Sequence, residues 1–528
     1  MTDAAVGRTR SQRLAAGLDR VLDVLANARA ITAFWLFYVL VLGSLRLVRS
    51  SFLPFDDALS AEVMQGRFSW VYQARNPPLY EWLLWAVQQG MGPGVAGHLF
   101  LRSLIIVAIG VLTFDLVRAA TGRPRVGVAA SLSLLCFYWF GWHVHDSLTQ
   151  SLLLILFIFG LMRALILFME QPGLRSAILL GICVGLGLLS KWSFSLPAAA
   201  AAAAILSDRE LRGQFARPCL LVVPLIALVL VAPTGFWLYM HQSRFAETVG
   251  GVMTGEGQNH AMRALEGLIR LPIALFLFLS PWLVAFAIGA GRPRAWFPAS
   301  PSPVIRLLVR LSLATLVILG ASILVVGIAN IREHYLYPVG LPLIIALWAA
   351  VAGSTREEPV LRVTTAASIL FGALVLGIKV AMAANALMPS DKVAKDLVPY
   401  QGLAQTLTSS GLGAEAFIAS DHILAGQLIA AMPRATVVSQ STRRATVPGT
   451  YRPSQQCILI WPKGGAPAGN RLAGLGIAET SAKISMLSIF GSPGGIGPAR
   501  RGEFELADLG RDAEPCRRLI GTGETAIQ

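Results

Sequence analysis

The sequence predicts an α-helical polytopic membrane protein of about eleven spans, followed by a small C-terminal extracytoplasmic α/β domain. Three observations lead there. The 528 residues are 55% hydrophobic and only 14% charged, against about 25% charged in globular chains, and the mean hydropathy is +0.62. Apolar runs recur from residue 33 to residue 384, separated by short polar loops. From about 390 onward the runs become too short to span, and strand-like segments alternate with Gly, Pro and Ser turns.

Taken in order, residues 1–30 form an Arg-bearing lead whose apolar positions Leu14, Leu18, Val21, Leu22 and Leu25 repeat at helical spacing, as in an interfacial amphipathic helix. The lead has no short apolar core followed by a small-residue cleavage site, so the first span is expected to remain as an anchor. Residues 31–390 carry the spans, at 33–47, 99–117, 126–141, 148–169, 174–190, 194–206, 218–239, 268–290, 307–329, 336–352 and 362–384. Residues 391–528 form the soluble domain. Strands are expected at 416–420, 436–439 and 457–461, a helix at 423–432, and a loose tail over the last twenty or so residues. Five cysteines show no metal-ligand spacing; Cys457 and Cys516 are placed to pair if the tail lies outside the cytoplasm.

The formal net charge of +15 does not signal nucleic acid. Most basic residues are arginines scattered between apolar runs, which is the positive-inside pattern of a multi-pass membrane protein. Placing the N-terminus in the cytoplasm collects Arg118, Arg123, Arg125, Arg163, Arg175, Arg209, Arg212, Arg217, Arg292, Arg294, Arg306, Arg310, Arg356 and Arg362 on the cytoplasmic side. The same assignment puts the 52–82 loop, the 141–147 turn, Lys191, the 240–267 and 330–335 loops and the C-terminal domain on the opposite, extracytoplasmic side.

That side carries the chemistry. Asp56 and Asp57 follow the first span; taken alone they read as a solvated helix start with Asp as cap. Asp146, in the Trp142-His143-Val144-His145-Asp146 turn, supplies a second acidic site on the same face. Two acids from different loops can act as general base and orienting group, or bind a divalent metal with His143 and His145. Hydrogen bonding at the interface is the preferred role for those histidines. Arg75, before Asn76-Pro77-Pro78-Leu79-Tyr80, is placed to meet a phosphate. Lys191 interrupts two apolar runs, where snorkelling competes with anion binding. Arg332, in the Arg332-Glu333-His334-Tyr335 cluster, offers a planar fork for phosphate oxygens, although an ion pair with Glu333 competes. Asn76, Tyr80 and Tyr335 are the candidate walls for donor and acceptor.

Asp56-Asp57-Ala58-Leu59-Ser60-Ala61-Glu62 resembles the D-E-x-x-Y-A-E element of the first external loop in glycosyltransferase family 39-like enzymes, which include lipid A aminoarabinose transferases, lipopolysaccharide galacturonosyl transferases and protein O-mannosyltransferases. Asn76 to Tyr80 resembles their K-P-P-L-Y segment, Asp146 their second acidic position, and Arg332 to Pro338 their R-x-x-Y-x-x-P element. Lys191 follows a small-residue span and a Leu-Ser dipeptide, as in that family. The resemblance covers residues 30–350. It implies the GT-C fold, a polyprenyl-phosphate sugar as donor, and a lipid or glycolipid of the cell envelope as acceptor. It also implies Asp56 and Asp146 at the reaction centre, with Lys191 and Arg332 toward the lipid phosphate. Asn76 stands where the family has lysine, Asp57 where it has glutamate, and Ser60 where it has tyrosine, which leaves sugar and acceptor open. Two other classes compete: a transporter or lipid-linked sugar flippase, which predicts polar residues in mid-span, and a non-enzymatic assembly protein.

Overall fold

The computed structural model describes residues 10–73, 75–240, 259–292, 296–329, 331, 333–388, 395–440, 451–464, 467–477, 483–493 and 497–520. Among these, six helices are long and apolar enough to cross a membrane: Ala28–Arg49, Val95–Thr121, Thr149–Glu170, Pro218–Met240, Pro303–Val326 and Glu357–Ala386. Two further runs are bent pairs, Pro124–Cys136 with Tyr138–His145 at 78° and His260–Leu279 with Trp282–Ala290 at 73°. Shorter apolar helices, Leu174–Ser190, Trp192–Ser207 and Tyr335–Val351, occupy the remaining runs. Each apolar run read from the sequence is thus met by a helix or a bent pair. Their outward residues are apolar, with Leu221 75% and Val325 78% exposed, as suits side chains that face lipid rather than water. This is a multi-pass membrane protein.

The chain divides into two compact units. The first comprises residues 1–39, 104–145 and 150–376. In it the indole of Trp35 donates to Ser131 Oγ at 2.9 Å, and Ser131 donates to the Gly110 carbonyl at 2.7 Å. A Cβ at Gly110 would lie 2.2 Å from the Trp35 ring nitrogen, so only glycine permits this crossing. Arg125 bonds Asp19 at 3.0 Å and Glu358 at 2.8 Å, and Arg362 reaches the same Asp19 at 3.0 Å. Arginines that the sequence places at one membrane face therefore share one ionic network. Such half-exposed pairs contribute about 0–1 kcal/mol each; here their value is to fix which helix ends meet.

The second unit comprises residues 40–103, 146–149 and 377–528. Its centre is a five-stranded sheet in the order β2-β1-β3-β5-β4, with β1 Ala416–Ala419, β2 Thr436–Ser439, β3 Gln456–Pro462, β4 Lys483–Gly491 and β5 Arg500–Arg511. β1 runs parallel to β2 and β3, while β5 is antiparallel to β3 and β4. Alternate residues serve two layers, as the strand period of two requires. Ala416, Ile418, Cys457, Leu459 and Trp461 face the helix Glu514–Ile520 side. Phe417, Ala419, Ile458 and Ile460 face the other side, where the core also takes in Leu53, Ala58 and Ala61 from the first long loop.

Two expectations change. The tail is not loose up to residue 520: Glu514–Ile520 is helical, Ile520 is buried, and Cys516 is disulfide-bonded to Cys457. Residues 521–528 lie outside the described set. Nor does an aspartate cap the helix after the first span. Pro54 occupies that position, and Asp56 and Asp57 lie inside the first turn of Phe55–Met64. The disulfide closes a segment of 59 residues in a small domain, so Cys457→Ser should cost about 2–4 kcal/mol. A calorimetric scan with and without reductant checks this: reductant should lower the sheet-domain transition of the wild type and leave that of the variant unmoved.

Candidate active site

The carboxylates singled out in the sequence come together in the second unit. Asp57 points inward from the first turn of Phe55–Met64 and is only 2% exposed. Its Oδ1 accepts from the Arg102 guanidinium at 2.7 Å, and His98 Nδ1 lies 3.4 Å away. His98 and Arg102 are four residues apart on Val95–Thr121 and so share a face. Burial pushes the Asp57 carboxyl up, but Arg102 and then His98 outweigh it and hold the group below the usual carboxylate range.

Asp56 is differently placed. It is half-buried, and its Oδ2 accepts the backbone N–H of Leu148 at 2.9 Å. Leu148 adopts φ 70°, a left-handed conformation rare outside glycine. Holding it there costs about 1–3 kcal/mol, and such strain clusters at functional sites. Two residues earlier in the same segment, Asp146 meets Lys379 Nζ at 2.5 Å. Arg46 donates to the Phe52 carbonyl at 2.5 Å, and its carboxylate neighbours are Asp146, Asp396 and Asp57. Three carboxylates and three cations, Arg46, Arg102 and Lys379, are thus gathered around one segment. Asp57 and Asp146 each have a cation partner. Among the described residues Asp56 has none; its polar contact is the Leu148 amide.

The other sequence candidates are distributed as follows. Arg75 and Asn76 belong to the same unit and are half-buried. Tyr80 is fully buried in the first turn of Leu79–Met91; its hydroxyl feels the charges of Asp57 and Arg102 but has no hydrogen-bond partner among the described residues. Lys191, His143, His145 and Tyr335 belong to the first unit. Lys191 donates to Ser151 Oγ at 2.7 Å. His145 Nε2 lies 2.9 Å from the Tyr38 hydroxyl, and the His143 ring packs on Tyr138 at 5.7 Å. Tyr335 is half-buried in Glu333–Val351. Arg332 lies outside the described residues. Among the described residues no group of three or more His, Cys, Asp or Glu side chains converges on a point where a cation could bind.

The sequence reading missed Arg46, His98, Arg102 and Lys379. Their signal was present: each is an isolated ionisable residue in or beside an apolar run, where burial is costly without a partner. Counting Lys and Arg only in loops passed over them.

A family profile described as dolichyl-phosphate-mannose-protein mannosyltransferase matches residues 75–237. Over 472 residues the chain is 28% identical to the lipopolysaccharide core galacturonosyltransferase RgtB of Rhizobium johnstonii, covering 84% of this chain and 90% of that one. RgtA of the same bacterium is 25% identical over 458 residues, covering 84% and 88%. The fold is that of ArnT from Cupriavidus metallidurans. The TM-score is 0.57 to its apo crystal structure and 0.56 to the one bound to undecaprenyl phosphate, with 14% identity over 90% of this chain and 98% of that one. The chain is a membrane glycosyltransferase with the GT-C fold. That sets aside the transporter and assembly readings.

Proposed function

We propose that this glycosyltransferase moves a sugar from a polyprenyl-phosphate donor to a lipid or glycolipid of the bacterial envelope, on the periplasmic face, with inversion. The observation that carries the reading is the Asp56 carboxylate, which accepts the Leu148 N–H beside Asp146 and has no ion-pair partner among the described residues. Asp56 takes the proton of the acceptor hydroxyl. The oxygen attacks the anomeric carbon, the bond from that carbon to the phosphate oxygen breaks, and its electron pair leaves with the polyprenyl phosphate. Cations stabilise that oxygen as charge develops; Arg75 and Lys379, in the same unit as Asp56, are the candidates. Asp57, already neutralised by Arg102, orients its helix rather than exchanging a proton.

The periplasmic assignment is supported by the distribution of arginines and by the Cys457–Cys516 disulfide, a bond that persists in oxidising compartments. The acceptor class is supported by the galacturonosyltransferases to which the chain is similar. Mass analysis of envelope glycolipids tests the reading in cells. Deleting the protein should remove one sugar from one glycolipid and leave the lipid-linked donor in place. An unchanged glycolipid profile would contradict it.

A further inference from the structure

We propose that the sheet domain holds the Asp56-bearing helix in register through a buried latch of Glu62, His422 and Ser439, which makes His422 a positioning residue for transfer. The link to turnover rests on the function proposed above; the latch itself does not.

Glu62 lies six residues after Asp56 on Phe55–Met64, about 9 Å along the helix axis. It is fully buried, and Ser439 and His422 are 0% and 5% exposed. One carboxylate oxygen lies 2.5 Å from His422 Nδ1; the other accepts the Ser439 backbone N–H at 2.9 Å. The Ser439 hydroxyl lies 3.0 Å from the same His422 nitrogen. The trio resembles a hydrolytic triad by composition but not by geometry. In a triad the serine and the acid engage opposite ring nitrogens, whereas here both meet Nδ1 in a closed interior. The cluster orients; it is not built to attack.

Two further contacts complete the latch. Gln427 exchanges a pair of hydrogen bonds with the backbone of Leu53, at 2.9 Å to its N–H and 2.7 Å to its carbonyl. Gly426 lets the helix His422–Ala431 approach Phe55–Met64 so closely that an added Cβ would stand 2.4 Å from Ala58 Cα. Phe55–Met64 is therefore pinned to the sheet domain along its length, at Leu53 just before it, at Ala58 within it and at Glu62 near its C-terminal end, and so presents Asp56 to Leu148. A buried, hydrogen-bonded ionisable pair is weak as a stabiliser, and the value of this one lies in specifying one arrangement. Loss of that arrangement moves a base by a fraction of its reach, and a misplacement near 1 Å can cost about a hundredfold in rate.

The test uses the full-length protein in liposomes with a labelled polyprenyl-phosphate sugar. It reads kcat, donor KM and amide hydrogen exchange together. In His422→Leu and, independently, in Gly426→Ala, amides 58–64 should exchange about tenfold faster while those of β1 and β3 keep their protection. The kcat should fall about 10- to 100-fold, with donor KM within about twofold. His422→Gln, which can still donate to Glu62, should restore kcat to within about threefold of the wild type. Unchanged exchange in 58–64 overturns the latch. Faster exchange with unchanged kcat, or a loss confined to KM, overturns the positioning role. If His422→Leu also exposes β1 and β3, it reports domain unfolding and Gly426→Ala decides. A wild-type protein that transfers nothing contradicts the proposed function, while hydrogen exchange still decides the latch.

Discussion

Asp56→Asn removes transfer while leaving the protein folded. The asparagine carbonyl can still accept the Leu148 N–H that Asp56 accepts at 2.9 Å, so the left-handed turn before Thr149–Glu170 stays in place. What is lost is the capacity to take a proton. Losing a general base typically costs about 10²- to 10⁴-fold, and the loss should appear in kcat with donor affinity nearly unchanged. Asp57→Asn gives a different signature, because Asp57 is 2% exposed and bonded to Arg102. Its effect should fall on stability first and on rate through the helix it orients. Steady-state kinetics on both variants separates the roles. Equal kcat losses with unchanged stability would assign them the same function.

Arg102→Leu produces the largest change in stability. It leaves the Asp57 carboxylate buried with His98, at 3.4 Å, and the more remote Arg46 in place of a guanidinium at 2.7 Å. Breaking a buried pair by removing one partner costs about 3–5 kcal/mol, while replacing both partners by apolar residues is often neutral. Unfolding followed in detergent should therefore show Arg102→Leu strongly destabilised and the Asp57→Leu/Arg102→Leu double variant largely recovered. The pH dependence has a definite sign. Asp57 titrates below its usual range in the folded wild type, so its contribution is present above an unfolded value of about 3.9 and is lost as pH falls through the depressed value. Without Arg102, burial dominates and the folded carboxyl rises. The variant should then gain stability relative to the wild type as the solution is acidified from neutrality toward pH 4. A constant gap across that window would mean that Arg102 is not the main partner.

The spans were legible because about 20 consecutive apolar residues are a signal few other structures produce, and each run from 33–47 to 362–384 corresponds to a helix or bent pair. In the sheet domain β1, β2 and β3 were readable as β-branched or apolar runs bounded by turns. β4 and β5 were not named, since Lys483–Gly491 is largely exposed and Arg500–Arg511 carries six charged residues. The acids were legible only in combination. Asp56 by itself looks like a helix start, and it took the loop assignment and the family pattern to pair it with Asp146. Partners 233 residues apart, such as Lys379 and Asp146, or 360 apart, such as His422 and Glu62, leave no local mark. Asn76, standing where the resemblance expects lysine, fits a unit that draws Arg46, Arg102 and Lys379 around its carboxylates.

Reconstitution tests the central claim most directly: the purified protein in liposomes, given a labelled polyprenyl-phosphate sugar and a lipopolysaccharide-derived glycolipid. The account predicts that label passes to the glycolipid with stoichiometric release of polyprenyl phosphate, and that Asp56→Asn stops both. Label crossing the bilayer while still attached to the polyprenyl phosphate, with no glycolipid labelled, would contradict it.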